Sequence, residues 1–250
     1  MTKIVCVIQA RTGSTRLPSK ILKKIQGKEL LLHVVDRVLD SKLIDIVVVA
    51  TTIAKPDDLI VELINNYDKR VHYYRGSEQD VLDRYYQTAK KFAADIVIRV
   101  TSDCPLIDSE IIDEIIKEFM NSDFDYISNN IGRRTYPRGL DAEVFSFKAL
   151  KRAWHEGDSA SDREHVTWYI RQHPHEFKTM CHENDVDLSK NRWTVDEQAD
   201  LDFVNEVYKR LYNKNKKFKT KEILELLTKE PSLVEINSHI EQKKVDGKEA

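Results

Sequence analysis

Four short strand-like runs in the first hundred residues, separated by stretches of helical spacing, limit the folds open to this chain. They are Ile4-Val5-Cys6-Val7-Ile8, Ile46-Val47-Val48-Val49-Ala50, Val71-His72-Tyr73-Tyr74 and Ile96-Val97-Ile98-Arg99-Val100. Between them apolar residues recur every three or four positions: Leu30, Leu31, Val34, Val35, Val38 and Leu39, then Leu59, Ile60, Leu63 and Ile64 behind Pro56, then Val81, Leu82, Tyr85, Ala89 and Phe92 within 79–93. Ile111, Ile112, Ile115, Ile116 and Phe119 repeat the pattern after Pro105. Continuously apolar strands alternating with helices predict an α/β fold, a mostly parallel sheet covered by helices on both faces. Ligands of such sheets collect beyond the carboxyl ends of the strands, where the strand order switches. The polar segments Gln9 to Lys20, Thr51-Thr52, Arg75 to Asp83 and Thr101 to Asp103 all fall at those ends.

The second half is less regular. Tyr126-Ile127-Ser128 reads as a fifth strand, followed by a polar link over 129–134. Glu143 to Phe147 reads as a strand and 148–156 as a helix. Asp162 is placed to cap a helix running to about Gln172, before Pro174. Phe177 to Cys181 and Arg192 to Val195 have strand character, and helices are expected over about 197–211 and 220–229. Residues 241–250 read as a polar tail. Without an internal repeat or a low-complexity linker, 1–240 is expected to be one domain with an inserted or appended substrate region.

Charge narrows the partners. Forty basic residues against forty-two acidic ones leave a net charge of −2, too little field to argue for duplex nucleic acid or an anionic membrane. No run approaches the roughly 18 apolar residues of a membrane span, and the N-terminal apolar run reads as a strand and not a signal peptide. Cys6, Cys104 and Cys181 form no CxxC pair or disulfide framework. Cytoplasmic residence is the simplest expectation.

Any basic site must then be local, and one stands directly after the first run. Arg11, Arg16 and Lys20 are interleaved with Thr12, Gly13, Ser14 and Thr15. A buried strand that empties into a cationic loop suits a polyphosphate: Gly13 allows a tight turn, backbone amides point inward as donors, and three cations neutralise charge. The loop is neither GxxxxGK[ST] nor GxGxxG. Asp103 closes the fourth strand, where a carboxylate can hold Mg²⁺ together with phosphate oxygens and water; as a helix cap, Asp108 or Ser109 is better placed. Asp196, after Trp193-Thr194-Val195, has the same strand-end character and is also a strong candidate cap for the 197–211 helix. Arg138, Asp141 and Glu143 flank Gly139, and Arg163, Glu164 and His165 follow Asp162. Such groups can clamp an acidic or hydroxylated substrate, or form surface salt bridges. The remaining histidines show no metal-ligand spacing.

These motifs resemble a known family. Gln9-Ala10-Arg11 through Ser14-Thr15-Arg16-Leu17-Pro18-Ser19-Lys20 is similar to the N-terminal signature of the CMP-sugar synthetases, which include the 3-deoxy-manno-octulosonate and acylneuraminate cytidylyltransferases. Arg75 to Arg84, Arg99 to Leu106, Tyr136 to Asp141, Arg163 to Thr167 and Glu235 to Ile240 resemble, in matching order, the branch named after spore coat polysaccharide biosynthesis protein F. The resemblance implies a Rossmann-like sheet of the nucleotide-diphospho-sugar transferase type, with an inserted substrate and dimerisation region. It implies a nucleotide-binding half over about 1–128, and an acceptor-binding, metal-completing half over about 129–240.

The resemblance also implies roles. Arg11, Ser14, Arg16 and Lys20 would bind the triphosphate of CTP, with Arg11, Arg16 and Lys20 acting in catalysis. Ala10, Thr12, Gly13, Gly76, Ser77, Asp80, Arg84, Thr101 and Asp103 would complete the nucleotide site. Asp103 and Asp196 would hold Mg²⁺, and Arg138, Asp141, Glu143, Arg163 and His165 would face a small acidic acceptor. The implied reaction moves CMP from CTP to an acidic sugar with release of pyrophosphate, for surface glycan synthesis, in a homodimer. Thr101-Ser102-Asp103-Cys104-Pro105 departs from the Gln-Gly-Asp-Glu-Pro of the octulosonate enzymes. A phosphonate or phosphate acceptor, a glycosyltransferase of this architecture and a non-catalytic nucleotide-binding module are the competing readings.

Overall fold

A computed structural model describes residues 2–242, together with the backbone of 244–245 and 248–249. The expected polar tail over 241–250 therefore lies largely outside the described residues; within it Lys244–Val245 pairs antiparallel with Lys248–Glu249.

The four runs become the parallel strands β1 (Ile4–Gln9), β2 (Ile46–Thr52), β3 (Val71–Gly76) and β4 (Ile96–Thr101). Three shorter strands follow: β5 (Tyr126–Ser128), β6 (Glu143–Ser146) and β7 (Thr179–Cys181). The seven make one sheet in the order β3-β2-β1-β4-β6-β5-β7, with β6 antiparallel to both its neighbours. The chain runs outward from β1 to β3, then returns to place β4 on the other side of β1. This reversal is the switch point expected to open a crevice at the strand ends.

Both faces are covered because alternate residues of each central strand serve separate core layers. Ile4, Cys6 and Ile8 of β1 pack with helices α1 (Leu30–Leu39), α2 (Asp58–Asn65) and α4 (Ser109–Met120), and Val5 and Val7 pack with α3 (Val81–Lys91) and α5 (Phe147–Glu156). Helices α6 (Ala160–Glu164) and α7 (Trp168–Gln172) extend the second layer, and α8 (Gln198–Leu211) and α9 (Thr220–Lys229) extend the first.

Three local expectations are corrected. The helix expected from Asp162 to Gln172 is broken between α6 and α7 by Val166, whose φ of 51° lies in the left-handed region that a β-branched residue rarely enters. Ser159, not Asp162, is the N-cap of α6, and Asp162 completes a capping box by accepting from the Ser159 amide. Residues 192–195 form an extended segment with a single bridge, Arg138 to Arg192, and not a strand.

Candidate active site

The loop after β1 is held from below. Leu17 and Ile21 are buried in the core, while the buried Asp57 accepts from the Thr12 amide at 2.8 Å, the Thr12 hydroxyl at 2.7 Å and the Thr52 hydroxyl at 2.5 Å. Burial alone would raise the Asp57 pKa, but these donors reverse it and hold the carboxyl below its usual range. Thr12 is thus an anchor for the loop. The tight turn expected at Gly13 is present, closed by the Ser14 amide donating to the Thr12 carbonyl at 2.8 Å, and it needs no left-handed φ; within the loop that conformation belongs to Ser19, with φ 52°.

Above the loop the expected carboxylate pair converges on one cation. Lys20 Nζ donates to Asp103 Oδ2 and to Asp196 Oδ1, both at 2.7 Å, and to the Val195 carbonyl at 2.8 Å. Arg16 reaches the other oxygen of Asp196 at 3.1 Å. Two caps elsewhere leave both carboxylates available. Asp108 caps α4, so Asp103 does not, and Glu197 with Asp200 forms the capping box of α8, so Asp196 does not. Arg192 supports the arrangement by pairing with Asp200 at 2.9 Å and Asp196 at 3.1 Å. Burial pulls the Lys20 pKa down, but Asp103 and Asp196 together outweigh it and raise it. Burial likewise pushes Asp103 up, and Lys20 overcomes this to bring its pKa down to about 2.

The loop, the ends of β1 and β4 and the α6–α7 turn enclose a cleft of about 470 Å³. Its lining brings together Ala10, Arg11, Gly13, Ser14, Arg16, Lys20, Arg84, Thr101, Asp103, His165 and Asp196 from the expected set. Five cations, Arg11, Arg16, Lys20, Arg84 and Arg99, face three carboxylates, Asp103, Glu164 and Asp196. With His165 neutral the lining is net cationic, suited to a polyanion. Arg84 is 1% exposed and, among the described residues, makes no ion pair; burial holds its pKa below the ordinary value. Gln9 Oε1, Arg84 Nε and Arg99 Nε are buried without a hydrogen-bond partner among the described residues, and all three residues line this cleft. Buried orphans of that kind point to a ligand or ordered water.

The other expected residues lie outside the lining. Gly76, Ser77 and Asp80 shape the turn before α3: Ser77 O accepts from Arg84, and Asp80 caps the helix while pairing with Arg163. Arg163 also donates to the Trp154 and Gly157 carbonyls, which ties α6 to α3 and α5. Asp141 pairs with Arg134. Arg138 lies in a separate basic pocket with Arg134 and Arg192. Glu143 is 2% exposed and pairs with Arg99 behind the cleft wall. Of the five residues expected on the acceptor side, only His165 reaches the cleft. Glu164, read with Arg163 and His165 as able to clamp a substrate, lines it, and Arg99 and Ser102 line it without having been singled out as site residues.

A switch-point cleft at the ends of a mostly parallel sheet, with a cationic loop facing two converging carboxylates, defines a nucleotidyltransferase. Residues 5–245 match the cytidylyltransferase family, and the chain belongs to it. It is 31% identical over 242 residues to the spore coat polysaccharide biosynthesis protein SpsF of Bacillus subtilis, covering 92% of this chain and 96% of that protein. It is 30% identical over 187 residues to a 3-deoxy-manno-octulosonate cytidylyltransferase of Geobacter metallireducens, covering 69% and 72%. A solved cytidylyltransferase of Leptospira borgpetersenii superposes with a TM-score of 0.88 at 33% identity, covering 94% of this chain and 97% of that one. Among the described residues no helix is long and apolar enough to cross a membrane.

Proposed function

We propose that this protein transfers CMP from CTP to an acidic sugar or related acid and releases pyrophosphate, in the synthesis of a surface glycan. The observation that carries the reading is the bridge from Lys20 to Asp103 and Asp196 at the mouth of a net-cationic cleft. In it, an acceptor hydroxyl oxygen attacks the α-phosphorus in line, a new P–O bond forms, the bond to the β-phosphate bridging oxygen breaks to release pyrophosphate, and the hydroxyl proton passes to solvent water. Arg11, Arg16 and Lys20 neutralise charge on the triphosphate and on departing pyrophosphate. No protein nucleophile is required.

The donor set also suits a hard divalent cation. Asp103 and Asp196 each lie 2.7 Å from the same Nζ, so their oxygens converge. Two carboxylates completed by phosphate oxygens and water are what Mg²⁺ selects. These two residues would hold it, and when bound it supplies charge neutralisation at the phosphates.

The test is pyrophosphate release from each nucleoside triphosphate, with and without a panel of sugar acids, phosphonates and phosphates. Release from CTP that requires a sugar acid is expected, and Asp103→Asn should abolish it. Silence across the panel, or an Asp103→Asn variant of full activity, would overturn the assignment.

A further inference from the structure

One cleft-lining cation, Arg99, sits inside strand β4. Arg99 lies two positions before Thr101, so the period of the strand directs both to one side; Asp103 follows in the turn after the strand, and all three line the cleft. Its cross-strand partner on β6 is Glu143. One Glu143 oxygen accepts from Arg99; the other accepts from the Tyr126 hydroxyl at 2.9 Å and the Thr167 hydroxyl at 2.5 Å. Glu143 is thereby engaged through both oxygens, whereas Arg99 donates to it through one terminal nitrogen and keeps a buried Nε with no partner among the described residues.

The position separates Arg99 from the phosphate cations. Arg11, Arg16 and Lys20 come from the loop after β1, on one side of β4, and Glu143 comes from β6 on the other. Glu164, the last residue of α6, and His165, which follows it, line the same cleft. The left-handed Val166 follows them, and Thr167 then turns back to Glu143. Strain of that kind persists where surrounding structure imposes it, and it clusters at ligand sites.

We infer that Arg99, set in place by Glu143, binds the carboxylate of the acceptor, an inference that rests on the transfer reaction proposed above. Glu143 is a positioning residue: it acts through Arg99. The planar guanidinium offers a carboxylate paired donors, which a neutral acceptor would leave unmatched.

The test separates the acceptor from the nucleotide. CTP binding is measured by calorimetry. Turnover is measured with sugar acids, beginning with 3-deoxy-manno-octulosonate, each compared with its uncharged amide. Arg99→Gln alone strands the Glu143 charge in the interior, so the double variant Arg99→Gln, Glu143→Gln accompanies it, with Arg99→Lys as the conservative variant.

The expected result is an unchanged CTP Kd, an acid KM raised about 10- to 100-fold with kcat altered far less, and a preference for acid over amide that collapses in the double variant and partly returns with Lys. A double variant that still prefers the acid would overturn the inference. So would a CTP Kd that rises with the acid KM, which would give Arg99 to a phosphate, or a wild-type protein indifferent to the acceptor's charge. A wild-type protein that binds no CTP would overturn the transfer reading itself.

Discussion

Replacing Lys20 by Met leaves Asp103 and Asp196 facing each other across the space its ammonium occupied. Each carboxylate oxygen is 2.7 Å from Nζ, so the two are no more than about 5.4 Å apart, and their side chains are only 24% and 17% exposed. At an effective dielectric constant of about 20, two unit charges at that distance repel by about 3 kcal/mol, which agrees with the cost of breaking a buried ion pair. Urea unfolding at pH 7 without divalent cations should show a loss of that size, or roughly 6–12 °C in Tm for a chain of this length.

The loss should depend on pH. In Lys20→Met one carboxylate of the pair takes up a proton more readily than it does in the unfolded chain, so the native state binds more protons and loses stability as pH rises. Wild-type Asp103, with its pKa brought down to about 2, stays ionised above pH 5. The gap between the two proteins should therefore widen from pH 5 to pH 8, and millimolar Mg²⁺ should restore more stability to the variant than to the wild type. A variant as stable as wild type, or a gap flat across pH with no differential response to Mg²⁺, would refute the convergence of the two charges.

Other outcomes follow from single contacts. His33 is buried and its pKa is brought down from 6.5 to about 4, mainly by burial, although its Nε2–H donates to the Ile25 carbonyl. The unfolded chain binds more protons between those values, so stability falls as pH drops through them. About 2 kcal/mol should be lost between pH 7.5 and pH 5, and His33→Gln should remove that part of the pH dependence in urea titrations. Gly139→Ala places a Cβ 2.5 Å from the backbone of Trp193 and Thr194 at φ +99°. It should cost about 3 kcal/mol or more by chemical denaturation and weaken nucleotide binding, because the displaced segment carries Asp196. Asp57→Ala removes the anchor of Thr12 and should weaken CTP binding about tenfold in calorimetry, with a stability loss of about 2 kcal/mol.

The sheet was readable because its strands are apolar throughout and its helices keep their period, two signals that depend only on near neighbours in the chain. The loop and Asp103 and Asp196 stood out because each lies where an apolar run stops. Arg99 did not, since a charged residue inside the run Ile96–Val100 reads as part of the strand until its neighbours across the sheet are known. Glu143, Asp141 and Arg163 show the converse. Their charges look available in sequence, yet Arg99, Arg134 and Asp80 take them up from 44, 7 and 83 residues away. The break at Val166 was hidden because its left-handed backbone is imposed by the packing around it and not by its own preference.

The bond from Lys20 to Asp196 has a consequence in time. The two residues are 176 positions apart, so a chain emerging from the ribosome can complete β1 to β4, with all the cations of the loop, well before the second carboxylate exists outside the tunnel. Until then Lys20 has one anionic partner and Arg16 has none from the later segment. In a half-made chain the cations of the loop therefore lack one of the two carboxylates they meet once residues 192–200 pack beside them.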